Sequence, residues 1–171
     1  MNVARSWALL LACMTLAGCA ASPPRSLSAR AEPPLLIGDQ AEAEPELQLV
    51  AAHNKLRARE GLPPLEPSPE LTAAAMRHAR DMASHQRMRH RGSDGTTPFQ
   101  RMSQEGYDFR LAGENVAYGQ PTVDAVMDAW WRSPPHRSNV LGNFSQIGTG
   151  TATAEDGSPY WCVTFGKPSG G

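Results

Sequence analysis

The sequence predicts an α+β domain, an α-β-α sandwich in which a small antiparallel sheet lies between helical layers. Three observations predict it. Apolar side chains recur at helical spacing in two separate stretches: Leu71, Ala74, Ala75, Ala79, Met82 and Ala83, and then Val123, Val126, Met127, Trp130 and Trp131. The C-terminal segments SQIGTGTAT and PYWCVTFGK alternate, and the Glu155-Asp156-Gly157-Ser158 between them is a hairpin signature. Between the helical stretches runs GENVAYG, a short apolar strand that carries one carboxylate, Glu114. That strand and the hairpin make the sheet, and one further strand is left open.

Length and charge set the bounds. The chain has 171 residues, and about 120 remain once its N-terminal segments are set aside, enough for one domain with its own core. A formal net charge of −1 gives no overall electrostatic argument for nucleic acid or an anionic membrane surface. Of three cysteines only Cys162 lies in the folded region, which excludes a disulfide within the domain. Cys162 is expected to be a buried, inert thiol.

The first 18 residues read as a signal peptide, with Arg5 ahead of an apolar run from Trp7 to Leu16 that is too short to span a bilayer. Leu16-Ala17-Gly18-Cys19 resembles a bacterial lipobox, which makes Cys19 the lipidated first residue of the mature chain. Ala20 after it resembles the outer-membrane sorting class. Residues 19–45 are rich in proline and lack apolar periodicity, so they read as a tether spanning on the order of 30 Å. Leu35-Leu36-Ile37 is its apolar exception, read as an arm packing on the domain in preference to a partner-docking site.

The domain proper is expected at residues 46–168. Glu46 to Arg59 predicts a framework helix with Leu47, Val50, Ala51 and Asn54 on its inner face, stopped by Gly61 and the prolines beyond. His53 is read as a surface or interhelix hydrogen-bonding residue. Ser68-Pro69-Glu70 predicts a capped start for the second helix, whose stripe includes His78 as a hydrogen-bonded core histidine. Residues 77–91 hold five arginines against one aspartate, read as a solvated face with phosphates or lipid headgroups as the alternative. Thr97-Pro98-Phe99-Gln100 predicts a capping box at the start of a short third helix. Thr122 caps the Trp-bearing helix, and Pro134-Pro135 ends it ahead of a loop carrying His136 and Asn139. His136 is a candidate partner for the Glu114 carboxylate, which needs a partner or solvent at the mouth of a buried strand.

GENVAYG, the Trp-bearing helix, SPPHRSN and SQIGTGTAT, in that order, resemble the CAP superfamily of cysteine-rich secretory, antigen 5 and pathogenesis-related 1 proteins, whose domain is also called SCP. MRHRGSDGTTPFQRM and YWCVTFGK resemble its bacterial branch. The resemblance implies a central cleft lined by His90, Glu114 and His136. In it the two histidines hold a divalent metal such as zinc, and Glu114 orients or bridges. The family's second acid falls on Ser133, a departure that weakens acid/base catalysis by a carboxylate pair. A purely structural network around His136 and Asn139 uses the same residues.

The sequence carries no H-E-x-x-H helix, G-x-S-x-G elbow, P-loop or G-x-G-x-x-G fingerprint. The expected function is therefore a non-catalytic cell-envelope lipoprotein, held at the membrane through Cys19, whose domain binds a metal in the cleft and a lipid or cell-wall ligand. Nucleic acid is not an expected partner. Two alternatives stand beside it: a metal-dependent hydrolase of peptide or cell-wall material with Glu114 as its catalytic carboxylate, and an adhesion or scaffold domain.

Overall fold

The computed structural model describes residues 44–170. Cys19, the tether and Leu35-Leu36-Ile37 lie outside the described residues. The element order is α1 (Pro45–Arg59), β1 (Glu66–Pro67), α2 (Pro69–Ser84), α3 (Pro98–Gln104), β2 (Phe109–Tyr118), α4 (Val123–Arg132), α5 (Pro134–Val140), β3 (Gln146–Thr153) and β4 (Pro159–Pro168). The strands form one sheet in the order β1-β3-β4-β2. β4 pairs antiparallel with both β3 and β2, as the hairpin predicts, but β1 joins β3 in parallel, so the sheet is mixed. The parallel pair is two residues long and follows a proline-rich turn, which leaves no alternation to read.

The pleat of β4 divides the core. Trp161, Val163 and Phe165 pack with Leu49, Val126, Met127 and Trp130 on the α1 and α4 face. Tyr160 and Cys162 pack with Ala75, Ala79 and Met82 on the α2 face. A third, smaller cluster of Leu71, Ala74, Met102 and Tyr107 joins α2 to α3. Among the described residues these clusters run from Leu49 to Phe165.

α2 buries the seven residues expected of it, and Ser68 caps it by accepting from the Leu71 amide at 3.2 Å. α1 departs from expectation. Its buried residues are Leu49, His53 and Arg57, whereas Leu47 is 61% exposed and Ala51 faces solvent. Two of the three inward residues are polar, so hydropathy could not mark the face. Arg57 is buried because its guanidinium donates to the carbonyls of Pro63, Val140 and Gly142 at 2.9 Å each, tying the turn after α1 to the end of α5. His53 is fully buried, and its Nδ1 donates to Leu49 O at 2.8 Å within the same helix. Its ring packs between Trp130 and Phe165, and that burial pulls its pKa down to about 4.

SPPHRSN is a helix and not a loop. Ser133 ends α4 and precedes α5, and Pro134 sits in the first turn of the new helix, where its missing N–H costs nothing. The prolines do end α4; they also start α5.

Candidate functional site

β2 is an edge strand of the sheet, and the site forms around its middle. Glu114 and Asn115 are neighbours on β2, so their side chains leave opposite faces of the sheet. The Glu114 side chain enters the α2 and α3 side, and it is buried. There Arg101 of α3 donates to Glu114 Oε2 at 2.7 Å, and His90 Nδ1 donates to Oε1 at 2.8 Å. Both carboxylate oxygens are thus occupied. His136 is not its partner, contrary to expectation; Arg101, a residue not singled out in the sequence, takes that role. The side chains of Arg101 and Glu114 are each only 2% exposed, so the pair is desolvated on both sides.

Arg101 also holds the loop that presents His90. Its guanidinium donates to Thr96 O at 3.0 Å and to His90 O at 2.9 Å. One buried cation therefore fixes the His90 backbone and the carboxylate that orients the His90 ring. The ring itself stays open to solvent, its side chain 54% exposed. The sequence signal for Arg101 was its place in the helix opened by the Thr97 capping box, a position that a hydropathy reading assigns to the surface.

On the other face, Asn115 and α5 form the second wall. Asn115 Nδ2 donates to His136 O at 3.0 Å, while Asn139 Nδ2 donates to Asn115 Oδ1 at 2.8 Å and to Glu114 O at 3.1 Å. Trp130 Nε1 donates to Val116 O at 3.2 Å. These side chains satisfy carbonyls of the edge strand and seat α5 against it. The half-buried His136 has its pKa lowered, first by burial and then by the neighbouring His90. Ser133, at the position of the family's second acid, makes no side-chain capping bond. Cys162 is buried with Sγ 3.5 Å from Glu114 Oε2; burial and that carboxylate push its thiol well up, so it is inert as expected.

The arrangement suits a metal in one way and limits it in another. A histidine that donates Nδ1–H to a carboxylate presents Nε2 as a ligand, the usual support of a metal-bound imidazole. Among the described residues, however, no group of three or more His, Cys, Asp and Glu side chains is placed to hold an ion. Glu114 supports His90 from behind, and its oxygens are spent on Arg101 and His90. Of the three residues expected in the cleft, Glu114 therefore orients His90 and does not bridge.

An α-β-α sandwich with a histidine-lined site at its edge strand defines a class, and comparison with known proteins identifies it. The model of the cysteine-rich secretory protein family, CAP, matches residues 50–165, and the chain belongs to that family. YkwD of Bacillus subtilis (strain 168), an uncharacterized protein, is 35% identical over 123 residues. YlbC, an uncharacterized membrane protein of the same organism, is 28% identical over 106 residues. The matches take in 71% and 61% of this chain but only 47% and 31% of the two relatives, so it spans about half of them or less. Among solved structures, an outer surface protein from Borrelia burgdorferi superposes with a TM-score of 0.67 at 27% identity, covering 72% of this chain and 92% of that one. An extracellular SCP-domain protein from Bacillus anthracis gives 0.65 at 27% identity, covering 71% of this chain and 40% of that one.

Proposed function

We propose that this chain is an exported cell-envelope lipoprotein whose CAP domain is a non-catalytic binding module. The observation that carries the reading is the burial of Glu114. Its side chain is 2% exposed and turned to Arg101 and His90, so it is not presented to solvent as a base for a substrate proton, and Ser133 supplies no second carboxylate. What remains accessible is a pair of imidazoles, which are ligands for a borderline divalent cation such as zinc. His90 and His136 would hold the ion, and Glu114 would orient His90. A bound ion would supply a Lewis-acidic point at which an envelope ligand is held.

A groove of about 270 Å³ between α1 and α4 supports a separate lipid-like ligand. Ala52, Leu56, Met127 and Trp131 give it apolar walls, with Lys55, Arg59, Asp124 and Asp128 also lining it; none of the three cleft residues lines it. Export rests on the signal-peptide reading and on the surface and extracellular relatives, and anchoring rests on the Cys19 lipobox.

The test is a calorimetric zinc titration of the chain from Ala20 onward, with wild type beside the His90→Ala/His136→Ala double variant. Binding that vanishes in a folded double variant is the expected result. A folded wild type that takes no zinc removes the metal and leaves the cleft as a structural network. The hydrolase alternative is tested separately by turnover on peptide and cell-wall material, where a loss of rate in Glu114→Gln would overturn the non-catalytic reading.

A further inference from the structure

We propose that the loop between α2 and α3, residues 86–91, is a docking surface for an anionic phospholipid bilayer. Its sequence, QRMRHR, alternates arginine with other residues, and the charge is not neutralised locally. Among the described residues Arg87, Arg89 and Arg91 have no ion-pair partner, although Arg91 Nη1 donates to Gly95 O at 2.6 Å; what sets the segment apart is three such arginines within five residues. Arg87 and Arg91 are exposed. Arg89 is half-buried, and its Nε has no hydrogen-bond partner. Nearby acids are engaged elsewhere. Asp81 accepts from the Ser93 amide at 2.9 Å and faces His85, Asp94 is paired with Arg77 at 3.0 Å, and Glu114 is buried behind the loop. Glu155 lies on the flank, where it shares a hollow with Arg80 and Gln86. A chain with formal charge −1 thus concentrates positive charge on one short segment.

The loop is held in shape before any partner arrives. The Arg87 amide donates to Met82 O at 3.0 Å, closing the end of α2 with Gln86 at φ 47. The buried His78 donates Nε2–H to Arg89 O at 2.7 Å, and Arg101 donates to His90 O at 2.9 Å. Two core side chains therefore grip successive carbonyls of the loop. A backbone fixed in this way presents its arginines with no backbone ordering cost on binding.

Met88 identifies the partner as a bilayer and not a soluble polyanion. It stands between Arg87 and Arg89, 49% exposed, an apolar side chain at the centre of a cationic surface. At a membrane interface the arginines meet phosphates while the thioether enters the acyl boundary; a soluble polyanion offers it nothing. His90 belongs to the same loop, so docking turns the open side of the cleft toward lipid. The inference does not depend on lipidation of Cys19.

The chain from Ala20 onward retains every core residue and is the material for the test. Its sedimentation with phosphatidylcholine vesicles is compared with and without phosphatidylglycerol, at rising salt. Wild type is expected to bind only the anionic vesicles and to lose binding as salt screens them. Removing each exposed arginine should weaken binding about fivefold, so Arg87→Gln/Arg91→Gln falls well below wild type. Met88→Gln weakens binding with the salt dependence unchanged, and Arg110→Gln/Arg132→Gln, a charge-matched change elsewhere, has no effect. Circular dichroism checks that each variant is folded. Equal binding to neutral vesicles, no binding to anionic ones, or an unchanged Arg87→Gln/Arg91→Gln variant overturns the proposal. So does capture by heparin without capture by vesicles.

Discussion

Arg101 is the residue on which the candidate site turns, because two of its contacts end on His90 and Glu114, which the sequence marks for function, and a third ends on Thr96 of the same loop. Its partner Glu114 is buried, and a desolvated carboxylate with its cation removed is costly. Arg101→Met is therefore expected to destabilise the domain by about 3–5 kcal/mol in urea unfolding. Adding Glu114→Gln should recover part of that loss, since the second change removes the stranded charge. A double variant no better than the sum of the singles would show that the two side chains do not interact. His53 gives a second prediction at this scale. It is neutral in the fold, with a pKa held near 4 against an ordinary value of 6.5. The unfolded chain then binds the extra proton, so stability is full above about pH 6.5, falls as pH drops toward 4, and levels below it. The loss belonging to His53 is on the order of 3 kcal/mol. His78 and His136, whose values are also lowered, add in the same direction. The difference between wild type and His53→Gln across that window isolates the His53 part, and identical pH profiles would refute it.

Among the elements, α2 lies closest to the sheet, and the glycines of β3 allow it. A Cβ at Gly148 would stand 2.1 Å from the backbone carbon of Leu71, and one at Gly150 would stand 2.4 Å from Met76 N. Neither neighbour is the end of a flexible side chain. Gly150→Ala must push the helix off the strand, at a cost of about 1–3 kcal/mol or more, whereas Gly170→Ala meets nothing and leaves the melting temperature unchanged. Thermal unfolding of both variants checks this. The same helix shows which parts of the fold were legible. Alanines at helical spacing, a Ser-Pro-Glu start and alternating strands around Asp-Gly all state their structure in hydropathy and capping chemistry, and they fold as read. What could not be read was polar. The inner face of α1 is His53 and Arg57, and the Glu114 counter-charge is Arg101, each inward because of hydrogen bonds that hydropathy does not register. Pro134-Pro135 carries two messages, an end and a beginning, and the helix-breaking rule reads only the first. For the site, the resemblance implied a cleft lined by His90, Glu114 and His136; the His90 bond to Glu114, and the Asn139 bond to the Glu114 carbonyl, depended on the third dimension.

At the scale of the whole molecule, two means of reaching the membrane are proposed, and they predict different behaviour in cells. A lipidated Cys19 would anchor the chain almost irreversibly, because several acyl chains together bury many methylenes at about 0.8 kcal/mol each. The basic loop would act weakly and through charge, and alone it would give binding that salt reverses. Among the described residues no helix is long and apolar enough to cross a membrane, and substitution separates the two proposed contributions. Cys19→Ser should move the exported protein from a fraction that only detergent extracts to one that salt washes from the membrane. Combining Cys19→Ser with Arg87→Gln/Arg91→Gln should leave it free of the membrane even at low salt, while the loop variant alone stays anchored. Metabolic labelling with a fatty acid, lost only in the chains with Cys19→Ser, assigns the anchor. Cys19→Ser protein that still requires detergent would refute the lipobox reading. Cys19→Ser protein that releases fully at low salt would refute a role for the loop in the cell. With the anchor present, the loop's effect would be on orientation: it would hold the His90 side of a tethered domain against the lipid surface, which an unoriented tether would leave to chance.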